Sequence, residues 1–366
     1  LKRAYSALRA RVFLLHGAPA THVVTPTVRV RARGREAKVA MASVQPAVKA
    51  LLCSAVGASY TASLVVHSHL QTDCHYPSAF LIQYFDDAFI GVLAVLALAA
   101  IEMPSRAEVR RLLPLQLPWA FLLAALALVA NVSFMVALRL TSSSSAAALE
   151  QLCALFIAAL SYCLLKARYP LLAILMLLVA VGGAVLAVLG DAQGVGGGSL
   201  PLVGDALSLI VATCAGLYMV LFKLAFPTMR PQEFLFFFAL KGIITTAFGW
   251  IGVVLFNVMG WESAAWPTGC AAIWLPVGAL LAACFNWLLS WTTLRLSPLM
   301  ARLSLLLGAP CAFVIDLALG RHKAPAGIAG MFLVVLGVVG FEIASSRADA
   351  QACSPDDAEA RAQLAD

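Results

Sequence analysis

Charged residues are scarce in this chain. Lys, Arg, Asp and Glu make up 12% of the 366 residues, whereas a typical soluble domain has about 25%. Apolar residues make up 62%, and apolar runs long enough to cross a bilayer recur along the chain. Short segments of alternating polarity, which mark a membrane barrel, are lacking. The sequence therefore excludes a soluble domain and predicts an all-α membrane protein with many spans.

The common catalytic motifs are also absent. The chain has no His-Glu-x-x-His, no Gly-x-Ser-x-Gly and no P-loop, so a zinc protease, a nucleophile-elbow hydrolase and an ATPase are not indicated. Three of the six histidines lie in residues 67–75. This patch fits a soft-metal site, but a polar loop explains it without any ligand. We predict no enzyme activity, no cofactor and no metal.

Acidic residues are nearly missing from the first 44 residues, which form a basic arm. Residues 1–40 hold nine of the 25 Lys and Arg but only one acid, Glu36. The net charge of +7 comes from this arm, so it does not indicate a nucleic-acid partner. The composition is typical of an organellar transit peptide except for its single serine, Ser6. An extension upstream of a start at Met41 is the alternative.

Ten apolar segments follow the arm, in two sets of five. A glycine-rich linker at 191–200 separates a first repeat, 45–190, from a second, 201–346. Residues 347–366 lack apolar periodicity and are predicted to be a disordered tail. The predicted spans are 46–68, 77–101, 118–138, 143–165, 169–189, 201–224, 234–258, 271–294, 297–319 and 325–345.

Basic residues in the short connections give the orientation of the spans. Eight lie on the N-terminal side of the membrane and three on the opposite side, which places both termini in the cytosol. With five spans in each repeat, the second repeat is inverted relative to the first. Residues 138–141 (LRLT) and 294–297 (LRLS) echo each other across the two halves. The sequence predicts a 5+5 inverted repeat, as in many secondary transporters.

Three stretches of the second half resemble a known family: 216–223 (GLYMVLFK), 285–287 (FNW) and 297–316 (SPLMARLSLLLGAPCAFVID). They are similar to the EamA-like drug/metabolite transporter superfamily, and within it to solute carrier family 35, subfamily F. The branch that includes proteins assigned as thiamine transporters fits best. The resemblance implies ten helices in a 5+5 inverted repeat and a central cavity near the fourth and ninth helices.

Polar and aromatic side chains inside the spans are the candidates for substrate binding. A charge in the bilayer costs about 2.5–3.5 kcal/mol on insertion scales, so it usually faces a cavity or a partner. Glu150 and Arg302 enter from opposite sides, which would leave a midplane zone between them for a substrate. A structural ion pair, or extension of Arg302 to the interface, is the alternative. The predicted substrate-binding residues are Glu150, Arg302, Tyr218, Asn286, Trp287, Asn131 and Asp86.

Other charged residues have simpler interpretations. Lys241 is expected to extend its long side chain to the interface, and Asp316 lies close to a helix end. Asp86 and Asp87 are adjacent and point in different directions on a helix, so we expect at most one to face a cavity. That one could bind a cation or serve proton coupling.

Glycine and cysteine leave two structural questions open. Glycines 327, 330, 337 and 340 form a stripe on the tenth span, which fits close helix contact within the chain or in a homodimer. Cys74 and Cys270 lie in connections predicted on the same side, so a disulfide between them is compatible with the sequence.

The sequence favours a secondary transporter of a small organic solute, such as thiamine, another metabolite or a nucleoside. A nucleotide-sugar transporter of the same superfamily is the alternative. A non-transporting membrane adaptor or receptor, or an integral-membrane lipid enzyme, would belong to other classes. The membrane, whether plasma membrane, endomembrane or plastid, is left open.

Overall fold

A computed structural model describes residues 46–76, 78–101, 103–141, 143–191, 200–263, 265–307 and 325–352. These residues form helices and connections without any strand. The basic arm, Asp316 and most of the predicted linker and tail lie outside the described residues.

Eleven helices occur in the described part of the chain. Eight segments are long and apolar enough to cross a membrane, and the apolar part of the sixth helix, Leu171–Ala187, is shorter. The helices are α1 (Pro46–Thr72), α2 (Ala79–Ile101), α3 (Arg106–Leu140), α4 (Ser143–Glu150), α5 (Cys153–Leu160), α6 (Leu171–Asp191), α7 (Pro201–Ala225), α8 (Pro231–Val258), α9 (Cys270–Arg295), α10 (Pro298–Leu306) and α11 (Pro325–Ala352).

Two helices extend beyond the predicted spans. α3 begins at Arg106 instead of residue 118, because Ser105 and Glu108 form a capping box that starts the helix. α11 continues to Ala352, so the first residues of the predicted disordered tail are helical. Ala and Gln in this extension are good helix formers that continue an existing helix without a new nucleation step.

The fourth span contains a break. α4 ends at Glu150, α5 begins at Cys153, and a π-helical turn, Ser161–Leu165, follows α5. Lys166 then adopts a left-handed conformation (φ 54°) that closes the turn. In the ninth span the described residues cover only α10 and Leu307.

Helix contacts join the first five spans to the last five. α6 lies along α11, and α2 lies along α8. α1, α9 and α10 contact one another and form the first three-helix group. α3 and the α4–α5 span both contact α7 and form the second three-helix group. α2 also contacts α9, as α8 contacts α3.

Glycine permits the closest helix approaches. An added Cβ at Gly242 of α8 would lie 2.2 Å from the Cα of Gly91 on α2. On α11, a Cβ at Gly337 would lie 2.4 Å from the backbone nitrogen of Ala180 on α6. Gly330 and Gly340 also face α6. The described part of the glycine stripe is therefore used inside the chain, and a homodimer stays a prediction.

The α1–α2 connection is bound to the α8–α9 region. Cys74 and Cys270, whose pairing the sequence left open, form a disulfide with Cα atoms 5.5 Å apart. The Tyr76 hydroxyl donates to the Ala265 carbonyl at 2.7 Å. The backbone N–H of Phe80, in the first turn of α2, donates to the Glu262 carboxylate. These contacts require that both connections lie on the same side of the helices.

Alanine in place of Gly337 should destabilise the protein. Its new methyl group would meet the backbone of α6, and overpacking of this kind costs about 1–3 kcal/mol. The matched control is Gly182→Ala on α6, where a Cβ meets nothing within 4 Å. The control should keep or raise the unfolding temperature in detergent, because Gly in a helix costs about 0.5–1 kcal/mol relative to Ala. Equal effects of the two changes would contradict this helix contact.

The disulfide predicts how a cleaved chain migrates on a denaturing gel. A protease site inserted within 192–199 separates Cys74 from Cys270, so the two fragments should run as one band without reductant and as two with it. Cys270→Ser should give two bands in both conditions. Cys284→Ser, which removes a free cysteine of the same helix, should behave as the unaltered chain.

Candidate functional site

The break in the fourth span leaves a backbone carbonyl without its helical donor. The backbone N–H of Ala154 donates to the Gln151 carbonyl, whereas in a continuous α-helix it would bond to Glu150. The Glu150 carbonyl therefore needs a donor from elsewhere. The Glu150 side chain is only partly buried, but it lies among the spans, where water cannot fully solvate a carboxylate.

Arg302 of α10 supplies that donor and also pairs the carboxylate. Its Nη2 lies 3.1 Å from the Glu150 carbonyl oxygen and 3.1 Å from Glu150 Oε1. The Arg302 residue is buried, with 7% of its surface exposed. One arginine therefore holds the broken end of α4.

The expected midplane zone between Glu150 and Arg302 is not present. The two side chains touch, because a buried guanidinium needs a partner and the broken helix end offers two acceptors at once. The geometry matches the structural ion pair that the sequence left as an alternative. The pair connects α4, in the second three-helix group, to α10, in the first.

Lys241 is buried, which corrects the expectation that it reaches the interface. Its Nζ lies 3.6 Å from Asp87 Oδ1, and the Lys241 side chain is only 5% exposed. It also lies 5.5 Å from the ring centre of Tyr218 on α7, within cation–π range. The Gly91–Gly242 contact brings α2 and α8 close enough for this pairing, which offsets the desolvation of both charges.

Asp86 pairs with a side chain of α1. Its Oδ2 lies 3.1 Å from His67 Nε2 on α1, and Asp86 is 2% exposed. Gly278 of α9 lies against the His67 ring, since a Cβ there would be 3.2 Å from Nε2. Asp86 and its neighbour Asp87 point in different directions, as predicted. Both are buried, however, because each has its own basic partner.

The remaining predicted residues have different surroundings. Trp287 packs against a buried phenylalanine cluster, and its indole Nε1 is buried without an acceptor among the described residues. The Asn286 side chain donates to the Ala282 carbonyl in its own helix. Asn131 lies half-buried in α3. The structure thus brings Glu150 to Arg302 and Tyr218 to Lys241. The Asn286 side chain instead forms its hydrogen bond within its own helix.

Three of the paired ionisable side chains inside the helices were not among the predicted site residues: His67, Asp87 and Lys241. A local signal for two of them exists. Lys241 immediately precedes Gly242 within the apolar α8, and Asp87 lies one helical turn before Gly91. A charge beside a glycine in an apolar span indicates close helix contact and therefore a partner.

We call the six residues paired inside the helix core the buried charge network. Its members are Asp86, Asp87, Glu150, His67, Lys241 and Arg302. Three carboxylates face one ammonium, one guanidinium and one imidazole. When the imidazole is neutral and all three carboxylates are ionised, the network carries one uncompensated negative charge.

The histidine patch does not form a metal site in this structure. Ligand atoms of His69, Cys74 and Cys270 lie within 4.8 Å of one another. The two sulfurs are joined in a disulfide, however, and metals bind the free thiolate. The Nδ1 atom of His69 is 2.5 Å from the Asp73 carboxylate, so this histidine already has a partner.

Comparisons with known proteins identify the family. A family model described as Solute carrier family 35 matches residues 86–346. No curated protein matches the chain. One solved crystal structure of a protein is similar in fold, with a TM-score of 0.63 at 16% identity over 83% of this chain and 99% of that chain. The matched segment contains all of the buried charge network except His67. The chain is a multi-pass integral membrane protein and belongs to solute carrier family 35, subfamily F.

Proposed function

We propose that the chain is a secondary transporter that moves a small organic cation by alternating access between two inverted five-helix repeats. The observation that carries this proposal is the Glu150–Arg302 pair, which links the two three-helix groups at a broken helix. Broken helices inside the bilayer are typical of transporter substrate sites, because they expose backbone groups to a ligand. The family is a transporter family, which fits the expectation that the chain is not an enzyme.

Helix contacts support the repeats at 45–190 and 201–346. If the first five spans are exchanged with the last five in order, the contact of α3 with α7 becomes that of α9 with α1. In the same way α2–α9 becomes α8–α3, and the contact of the α4–α5 span with α7 becomes α10 with α1. The α2–α8 and α6–α11 contacts map onto themselves. An approximate two-fold axis between inverted repeats would produce this pattern.

Two three-helix groups offer a simple basis for alternating access. α1, α9 and α10 would move as one body against α3, the α4–α5 span and α7, with the substrate between them. The Glu150–Arg302 pair crosses this boundary, so it would have to break or exchange partners as the groups separate. An arriving charged substrate could take the place of one partner.

The buried charge network favours a cation as substrate. Its one uncompensated negative charge would be balanced by a monovalent organic cation. Tyr218 already lies under an ammonium, and its ring stacks on Phe222 with 6.4 Å between ring centres. Aromatic faces next to buried carboxylates are typical of sites for organic cations. Thiamine, an aromatic cation, has these properties.

Rival functions fit the network less well. A nucleotide sugar carries a diphosphate and would need free cationic groups, whereas Lys241 and Arg302 are each paired with a carboxylate. An adaptor or receptor would use the buried pairs only to hold its helices together, without any exchange of partners. Uptake into proteoliposomes from a panel of thiamine, nucleosides and nucleotide sugars separates these possibilities.

The inverted repeats predict where two connections lie. With both termini in the cytosol, tags placed next to residue 200 and within 265–269 should both be labelled by an impermeant reagent from the non-cytosolic side. A tag within 226–230 should be protected and serves as the control. Labelling of the first two positions from opposite sides would contradict the 5+5 arrangement.

Single and double changes of the Glu150–Arg302 pair should separate its structural role from its transport role. Glu150→Gln or Arg302→Gln alone should lower the unfolding temperature, since breaking one side of a buried pair costs about 3–5 kcal/mol. Changing both to glutamine should largely restore stability. Thiamine uptake by this stable double variant should still fall about tenfold, because the substrate loses its carboxylate.

A matched control for this experiment is the more exposed Lys49–Glu342 pair, with a 3.6 Å separation. Changing both of these residues to glutamine should leave stability and uptake nearly unaltered, because exposed pairs contribute about 0–1 kcal/mol. Full thiamine uptake by the Glu150–Arg302 double variant would show that the pair is purely structural.

A further inference from the structure

We infer that His67 and Asp86 form a proton-binding site that couples the transporter to a proton gradient, by exchanging one proton for one organic cation. This inference rests on the proposed transport function. It assigns a role to the pair that lies apart from the Glu150–Arg302 and Lys241–Tyr218 contacts, where α1 and α2 both pack against α9.

The geometry of the pair leaves room for a proton to be gained or lost. His67 Nε2 and Asp86 Oδ2 are 3.1 Å apart, close enough to share a proton. Both Nε2 and the second carboxylate oxygen, Oδ1, are buried and have no properly oriented hydrogen-bond partner among the described residues. The site therefore has unused capacity to donate and to accept, unlike a fully satisfied structural pair.

The His67–Asp86 pair is the one pair of the buried charge network that contains no permanent cation. Arginine does not lose its proton in proteins. Lys241 and Asp87 stabilise each other as ions, and so do Arg302 and Glu150. A histidine changes its charge within the pH range of cells, and buried Asp–His pairs are a recurring form of proton relay in membrane transporters.

The neighbouring charged groups determine what protonation does. On α2, Asp87 follows Asp86 directly, and Lys241 of α8 pairs with it. α9 presents Gly278 to the His67 ring, and its one charged residue is Arg295 at the far end of the helix.

Beyond these, Tyr60 lies two turns before His67 on α1. α10 also packs against α1, and its Arg302 is paired with Glu150 of α4.

Charge balance links the proton to the substrate. With neutral His67, the network has one uncompensated negative charge, which a proton on the His67–Asp86 pair neutralises. A monovalent organic cation bound nearby neutralises the same charge. Because the low-dielectric interior favours only one of them at a time, the cation and the proton should displace each other. One proton leaves for each monovalent cation that enters, so the exchange moves no net charge.

The test uses the full chain in proteoliposomes with radiolabelled thiamine as the probe. Exchange of labelled for unlabelled thiamine at equal pH requires only the substrate-loaded carrier. Accumulation driven by an acidic interior, with the membrane potential held at zero by valinomycin and K⁺, requires the proton-loaded carrier as well. The unaltered chain should show both activities.

His67→Gln should lose pH-driven accumulation about tenfold more than it loses exchange, because Asp86 without its imidazole partner would keep its proton instead of releasing it in each cycle. The matched control is His69→Gln, which changes a histidine of the same helix that binds Asp73 at the helix end. This control should keep both activities. If His67→Gln accumulates thiamine under the pH gradient as well as the unaltered chain does, the inference is overturned.

A second measurement does not depend on reconstitution of the variant. Thiamine added to the detergent-solubilised unaltered chain in weak buffer should release about one proton per thiamine bound. His67→Gln should bind thiamine and release almost none. Binding without proton release by the unaltered chain would overturn the coupling while leaving transport intact. Absence of both thiamine exchange and binding in the unaltered chain would instead overturn the proposed substrate.

Discussion

The cost of placing charge inside a bilayer is the constraint on which this structure depends. Each carboxylate of the buried charge network is matched by a base from a different helix, so the three pairs link α1 to α2, α2 to α8 and α4 to α10. Lipid supplies little hydrophobic drive for helix association. Pairing and close glycine contacts must therefore do much of that work, and at Gly91 and Gly242 the two occur together.

In the proposed alternating-access cycle, the pairs would have different roles. Pairs within one moving body stabilise it, whereas a pair that crosses between bodies favours one arrangement over the other. Glu150 and Arg302 form such a crossing pair, and they meet where α4 has lost its regular hydrogen bonds. A conformational change there breaks no complete helix, because the helix is already interrupted. The strongest charge contact thus coincides with the least regular backbone.

Sequence reasoning predicted most of the helices because the length of an apolar run is a local property. It placed the start of α3 too late, because two prolines within the helix indicated a boundary there. A capping box at Ser105 starts the helix earlier. It assigned Lys241 to the interface because the partner, Asp87, lies on another helix far away in sequence. The sequence offered a Glu150–Arg302 ion pair only as the alternative to a substrate zone. It did not predict the break between α4 and α5, since no proline or glycine marks that break.

The uncompensated charge of the buried charge network also affects how readily the empty carrier reorients. A carrier that holds neither proton nor cation would have to reorient with one unpaired carboxylate in the membrane, and an unpaired buried charge is costly. Either ligand removes that charge, so the loaded forms reorient more easily than the empty one. Coupling of proton and cation transport then needs no dedicated gate. The energetic cost of an unpaired buried charge, which also organises the helices, disfavours reorientation of the carrier without a ligand. On this argument His67 matters because it is the base of the network that can be neutral. When it is neutral, the negative charges of the network outnumber the positive ones by one.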